Sequence, residues 1–294
     1  MRLSFHTPHP LLRPHVARFW VFESDRGIPQ GDLQTIVPDG MLKLTFPFRG
    51  EVHSGRLGAP LSRNPEGRFI VIGPLDFPSR VTGLEARPVG TIGVEFRPYS
   101  SRLFLSLPVG ETSGRVLSAS NLLQTRELSV WEGRIQETES VQQKVALIEG
   151  FLLERLSRAK PADPIVEPAV RWLSSHEGAP VRDLEKYTGY SLRSLGMKFH
   201  AEVGFSPKAL ARIFRFQSVY QAIIMRNRRL IVPPASYADQ AHFIREFKEF
   251  SGFPPQAYLR KVNDFGELFY QGISDFFNPN PKAGGRFDAT SFRR

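Results

Sequence analysis

Gln240, Ala241, Arg245 and Lys248 have the types and the spacing of a surface that touches DNA. Gln bonds bidentately to adenine, Ala meets a thymine methyl, Arg bonds to guanine, and Lys pairs with phosphate. Phe243, Phe247 and Phe250 interleave with them at helical spacing. One helix would therefore carry an apolar seam inward and the four other residues on the opposite side. A second group lies upstream, with Arg193 as a candidate base reader and Lys198, Lys208, Arg212 and Arg215 as candidate phosphate contacts. From Arg193 to Arg229 there are eight Lys or Arg residues and one acid, Glu202. Such a run is either a solvated helix face or a phosphate-contacting surface.

The elements that would hold these residues come as a repeat. Leu195, Phe199, Gly204, Phe205 and Pro207 spell L-x3-F-x4-G-F-x-P, and Phe243, Phe247, Gly252, Phe253 and Pro255 repeat it with Phe for the first Leu. Each copy reads as a helix with an apolar seam, stopped by Gly and followed by a turn. Thr188-Gly189-Tyr190-Ser191 and Ala235-Ser236-Tyr237-Ala238-Asp239 precede them, where a helix-turn-helix places its turn. Ser191 and Ser206 are the caps of the first recognition helix and of the following helix, which starts at Pro207.

The run Tyr237 to Phe247, followed by Gly252-Phe253-Pro254-Pro255-Gln256-Ala257-Tyr258, resembles the second helix-turn-helix of AraC-type transcriptional regulators. Gly204 to Gln217 resembles the helix that joins the two units in that family, and the likeness covers about residues 163–262. It implies an all-α tandem helix-turn-helix unit that places two helices in successive major grooves, with double-stranded DNA as partner. It also leaves room for a homodimer and for RNA polymerase as partners. The first copy departs from the family pattern: Glu185 replaces a small residue, and Gly196 and Met197 replace polar, DNA-facing ones. The second departs before its turn, where Pro233 and Pro234 interrupt Arg228–Ala235. Two Pro cannot lie inside a helix without loss of backbone donors, so the scaffold helix there is expected to be absent or a single turn. Phe243 and Phe247 would then brace the recognition helix against the joining helix.

A chain of 294 residues, 41% apolar and 23% charged, has the length for two domains and the makeup of a globular protein. Zero Cys excludes disulfides, thiolate metal sites and a Cys nucleophile. No apolar run reaches the roughly 18 residues of a membrane span, so no membrane partner and a cytoplasmic location, on DNA, are expected. The net charge of +10 suits a polyanionic partner. It does not favour one half, because the excess is 14 − 10 = +4 over residues 1–125 and 15 − 11 = +4 over 161–270.

Residues 1–117 contain short apolar runs broken by turn signals: Val16–Phe22, Leu42–Phe46, Phe69–Ile72 and Thr91–Phe96, with Pro38-Asp39-Gly40 as a turn. They predict an antiparallel β barrel or sandwich. Phe19-Trp20, Val37 to Gly40 and Gly93 to Pro98 resemble an N-terminal domain often fused to AraC-type DNA-binding domains, whose functional reading is a sensor for an unknown small-molecule effector, with a plain dimerisation module as the rival. Trp20, Phe46, Phe96 and Tyr99 are the candidates to line its pocket, although aromatics on strands are commonly core. A cupin-like metalloenzyme would need paired His with a carboxylate, and no H-x-H pair accompanies a strand. No catalytic residue, metal site or cofactor is predicted.

Val141, Val145, Ile148, Leu152 and Leu156 then give a helical stripe, either a dimer contact or a face packed on the β domain. The predicted organisation is an α+β chain: a β-rich domain over 1–117, a helical connector over 118–160, the tandem helix-turn-helix over 161–270, and a tail over 271–294 expected to be disordered from Pro279 onward. The function that follows is a sequence-specific DNA-binding transcriptional regulator with a ligand-responsive N-terminal part. The alternatives are a β-domain enzyme with a DNA-binding appendage, and a non-specific DNA-binding or interaction protein with a degenerate first reading head.

Overall fold

The computed structural model describes residues 1–84, 86–105, 107–225, 237–270 and 286–288. Its N-terminal part is built from ten strands: β1 Arg2–His6, β2 Val16–Ser24, β3 Thr35–Ile36, β4 Lys43–Arg49, β5 Val52–Arg56, β6 Ser62–Asn64, β7 Ile70–Ile72, β8 Ser79–Gly83, β9 Val89–Phe96 and β10 Val116–Ser118. Arg286–Asp288 adds β11. Two antiparallel sheets result, one ordered β10-β7-β4-β9-β2-β1-β11 and one ordered β3-β8-β5-β6. The four runs read from sequence are β2, β4, β7 and β9, the centre of the larger sheet. Of barrel and sandwich, two separate sheets are what forms; the strands do not close on themselves.

Side chains alternate between the faces of a strand, and that alternation sets the layers. Phe19 and Val21 of β2, Leu44 and Phe46 of β4, and Ile92, Val94 and Phe96 of β9 point to one face. Two helices, α1 Thr125–Glu137 and α2 Val141–Ser157, cover it through Leu128, Ile135, Val145, Ile148, Phe151 and Leu152. The stripe Val141 to Leu156 therefore packs inside the chain, on its own sheet. Arg18, Trp20 and Phe22, with Lys43, Thr45, Pro47, Thr91 and Glu95, point to the other face. Trp20 lies opposite Gly93, where a Cβ would come within 2.1 Å of the indole. Only Gly leaves the ring room to lie flat across the neighbouring strand.

The helical part continues with α3 Val166–Ser175, α4 Asp183–Thr188, α5 Leu192–Glu202, α6 Pro207–Met225, α7 Gln240–Ser251, α8 Pro255–Leu259 and α9 Asp264–Tyr270. Helix α4 with α5 is the first helix-turn-helix, and α6 is the 19-residue joining helix. Leu195 and Phe199 of α5, Leu210, Ile213, Phe214, Phe216 and Tyr220 of α6, and Phe243, Phe247 and Phe250 of α7 share one core with α3. Val37 and Tyr99 of the β region belong to it too, so packing is continuous between the two halves. The interrupted stretch Arg228–Ala235, with its expected loss of a scaffold helix, lies outside the described residues.

Helix α9 bridges two cores: Tyr270 at its end stays in the helical core, while the rest packs on the sheets. Phe265, Leu268 and Phe269 join Leu3, Trp20, Phe22, Ile28, Val52 and Val89. Asp32 accepts from the Phe265 N–H at 2.8 Å, and Arg18 Nη2 donates to the Phe269 carbonyl at 2.9 Å. Both ends of the helix, where backbone groups lack intrahelical partners, are thus tied to the β region. The tail corrects its expectation in part: β11 lies within the stretch read as disordered and pairs with β1, Leu3 opposite Phe287.

Candidate nucleic-acid interface and an internal cavity

Helix α7 begins at a working cap. Asp239 accepts from the His242 N–H at 2.6 Å, and Gly252 ends the helix in the left-handed region with φ 85°. Between them Phe243, Phe247 and Phe250 are buried, with Phe216 of α6 packed against Phe247 and Phe250 at ring separations of 5.6 and 5.1 Å. Gln240, Ala241, Arg245 and Lys248 are all exposed. They form one stripe directed away from the core, and Ile244, 38% exposed, stands among them. Gln and Arg on such a stripe supply bidentate base contacts and Lys a phosphate contact.

The inner side of α7 holds a residue that sequence reasoning missed. Glu246 is buried, its side chain 2% exposed, and it accepts from Arg212 Nε at 2.9 Å and from Arg215 at 2.7 to 3.0 Å. Arg215 also lies 4.8 Å over the Tyr237 ring, while Arg212 reaches on to Glu249. Burial works to raise the Glu246 carboxyl, but the hydrogen bonds from Arg215 and Arg212 outweigh it and hold the group below its ordinary range. Both Arg were expected at phosphate, and in the structure both are engaged by Glu246. Arg212 and Arg215 face a carboxylate between α6 and α7, and their placement makes them a brace for α7. An acid three residues after Phe243, on the seam side of a helix opposite a basic helix, was the available signal.

Helix α5 presents less. Ser191 caps it through the Ser194 N–H, and Glu185 of α4 accepts from the Leu192 N–H at 2.7 Å. The bulky Glu185, a departure from the family pattern, is thus a second cap. Arg193 is exposed, Met197 is 66% exposed, and Gly196 faces open space. Lys198, expected at phosphate, pairs with Asp163 and lies over Tyr190. The His200 ring packs so closely on Gly110 that a Cβ there would fall 2.3 Å from it, and Ser113 donates to the Gly204 carbonyl at 2.8 Å. The C-terminal end of α5 is therefore seated on the β region. Lys208 is exposed at the start of α6.

A cavity of about 70 Å³ lies between the two sheets beneath α9. Trp20, Phe22, Ile36, Val52, Val81, Phe265 and Phe269 supply much of its wall, and every lining residue is buried or half-buried. Arg18 is paired with Glu95, and Lys43 with Asp39 at 2.6 Å. Of the expected lining residues only Trp20 is there. Phe46 and Phe96 lie on the α1–α2 side of the sheet, because the period of two places even-numbered residues of β4 and β9 on that face. Tyr99 packs in the helical core and accepts from Arg171 at 2.9 Å.

The architecture is a pair of antiparallel sheets followed by a helical unit in which α4 and α5 form a helix-turn-helix and the joining helix α6 precedes the capped helix α7. Residues 4–118 match a family described as a domain of unknown function (DUF6597). No curated protein matches the chain. Among solved structures the chain is similar to ToxT from Vibrio cholerae, with 11% identity and a TM-score of 0.45 over 81% of this chain and 97% of that one. It is also similar to an unsaturated fatty acid-bound form of wild-type ToxT, with 12% identity and a TM-score of 0.42 over 82% and 94%. A third is the AraC-like transcriptional activator CuxR, with 16% identity and a TM-score of 0.25 over 69% and 73%.

Proposed function

We propose that the protein is a sequence-specific DNA-binding transcriptional regulator of the AraC type, not an enzyme. The observation that carries this reading is the exposed stripe Gln240, Ala241, Arg245 and Lys248 on a capped helix whose opposite face is fixed by three Phe and by Glu246. Helix α7 is the principal reader. Helix α5 contributes through Arg193, and Lys208 and Lys248 contact phosphate. The cavity beneath α9 is the place where the β region receives a small effector.

The test is selection of bound sequences from a random duplex pool with the whole protein, followed by anisotropy titration of the selected and a scrambled duplex at fixed salt. The expected result is a preference of at least about a thousandfold for the selected sequence, in the range of specific binders. Equal affinity for both would favour the non-specific alternative.

A further inference from the structure

The polar atoms around the cavity specify what it would hold. Arg18 Nη1, Trp20 Nε1, Asn64 Oδ1 and Thr91 Oγ1 are buried and have no hydrogen-bond partner among the described residues, and all four residues line this one cavity. Buried polar groups are ordinarily satisfied, so four unpaired atoms in the walls of one mostly apolar space are hydrogen-bonding capacity that a guest gains once the side chains turn toward it. Two are N–H donors, one is an amide carbonyl whose NH2 already donates to Ser54 at 2.8 Å, and one is a hydroxyl. The charged groups present leave no net charge, because Arg18 pairs with Glu95 and Lys43 with Asp39. A carboxylate or ammonium entering this space would be an extra buried charge without a counter-ion, which is costly.

We infer that the cavity takes a small uncharged apolar molecule carrying a carbonyl oxygen, which accepts from Trp20 Nε1 and Arg18 Nη1. The inference rests on the cavity being the effector site. About 70 Å³ admits roughly five to seven water-sized groups, the size of a cyclic ketone or a small lactone. Thr91 and Asn64 stand ready for a hydroxyl beside the carbonyl. Such a ligand also touches α9, because Phe265 and Phe269 line the space and Arg18 holds the Phe269 carbonyl through its other nitrogen. From Phe269 the next residue, Tyr270, donates to the Gln217 carbonyl of α6 at 2.8 Å, so occupancy is felt where the joining helix begins its second half.

Calorimetric titration of the whole protein with cyclohexanone, benzene and cyclohexanecarboxylate tests this. Cyclohexanone should bind at least about tenfold more tightly than either of the others, the worth of one buried hydrogen bond or more. Trp20→Phe, which removes the N–H and keeps an aromatic ring, should abolish the advantage of cyclohexanone over benzene. Should Trp20→Phe fail to fold, methylenecyclohexane, which keeps the shape of cyclohexanone without the carbonyl oxygen, is titrated against the wild-type protein and should lose the same advantage. Tighter binding of the carboxylate, or an unchanged ketone advantage in a folded variant, would overturn the inference, as would millimolar indifference to all three. DNA affinity of the same preparations separates the two readings. Intact DNA binding without probe binding sinks only this inference, and probe binding without DNA binding sinks only the regulator reading.

Discussion

Helices α5 and α7 descend from the same short pattern, and the structure gives them different surroundings. Both start at a side-chain cap and both bury two large apolar residues four apart. Helix α7 then offers a continuous exposed stripe of hydrogen-bonding and charged groups, whereas the outer face of α5 offers Arg193, Gly196 and Met197. The far end of α5 is seated on Gly110 of the β region through His200. What distinguishes the two helices is thus the chemistry of the outer stripe together with what already occupies it. A recognition surface must be both polar and free.

The brace of α7 is the first place to break this comparison. Glu246→Ala would leave the largely buried Arg215 without its partner, and loss of one member of a buried pair costs about 3–5 kcal/mol. Urea unfolding should show that loss, while Glu249→Ala, at an exposed partner of Arg212, should change stability by less than about 1 kcal/mol. The pH dependence has a definite sign. Because the folded Glu246 carboxyl lies below its ordinary value, its contribution is fully present above the unfolded value and is lost as the pH falls through the folded one. Wild-type stability should therefore fall more steeply in acid than that of the Glu246→Ala variant.

Smaller effects sharpen the contrast. Asp239→Ala removes the cap of α7 and should cost about 1 kcal/mol in thermal unfolding. Met197→Arg adds a cation at the exposed centre of α5. It should raise affinity for all duplexes and steepen the dependence of log affinity on log salt by about one unit. If it instead changed preference at a single base pair, α5 would be a reader equal to α7.

Much of this was legible in the chain. Residues of one type at a spacing of four gave α5 and α7, Ser206-Pro207 gave the start of α6, and β-branched and aromatic runs gave the central strands of the larger sheet. Edge strands such as β6 and β10, with three residues each, carry too little pattern to be seen. Of the aromatics expected around one space, Trp20 lines the cavity and Phe46 and Phe96 do not, for a different reason. Trp20, Phe46 and Phe96 are all aromatic and on strands, but which face of a two-sided sheet lines a space depends on what covers the other, and here α1 and α2 cover it. Nor does local pattern announce that α9 packs mainly on the sheets, since its Phe265, Leu268 and Phe269 would suit either partner. The ion pairs of Arg212 and Arg215 were hidden because a basic run looks alike whether it faces phosphate or a carboxylate 31 to 34 residues away.

The central claim is that α7 reads bases and α5 contributes less, and paired titrations of Arg245→Ala and Arg193→Ala on selected and scrambled duplexes test it most directly. Arg245→Ala should lose about 1–3 kcal/mol on the selected duplex and much less on the scrambled one, and should relax preference at one base position. Arg193→Ala should lose less on the selected duplex than Arg245→Ala does. Equal losses for Arg245→Ala on both duplexes, or a larger selective loss for Arg193→Ala, would contradict the account.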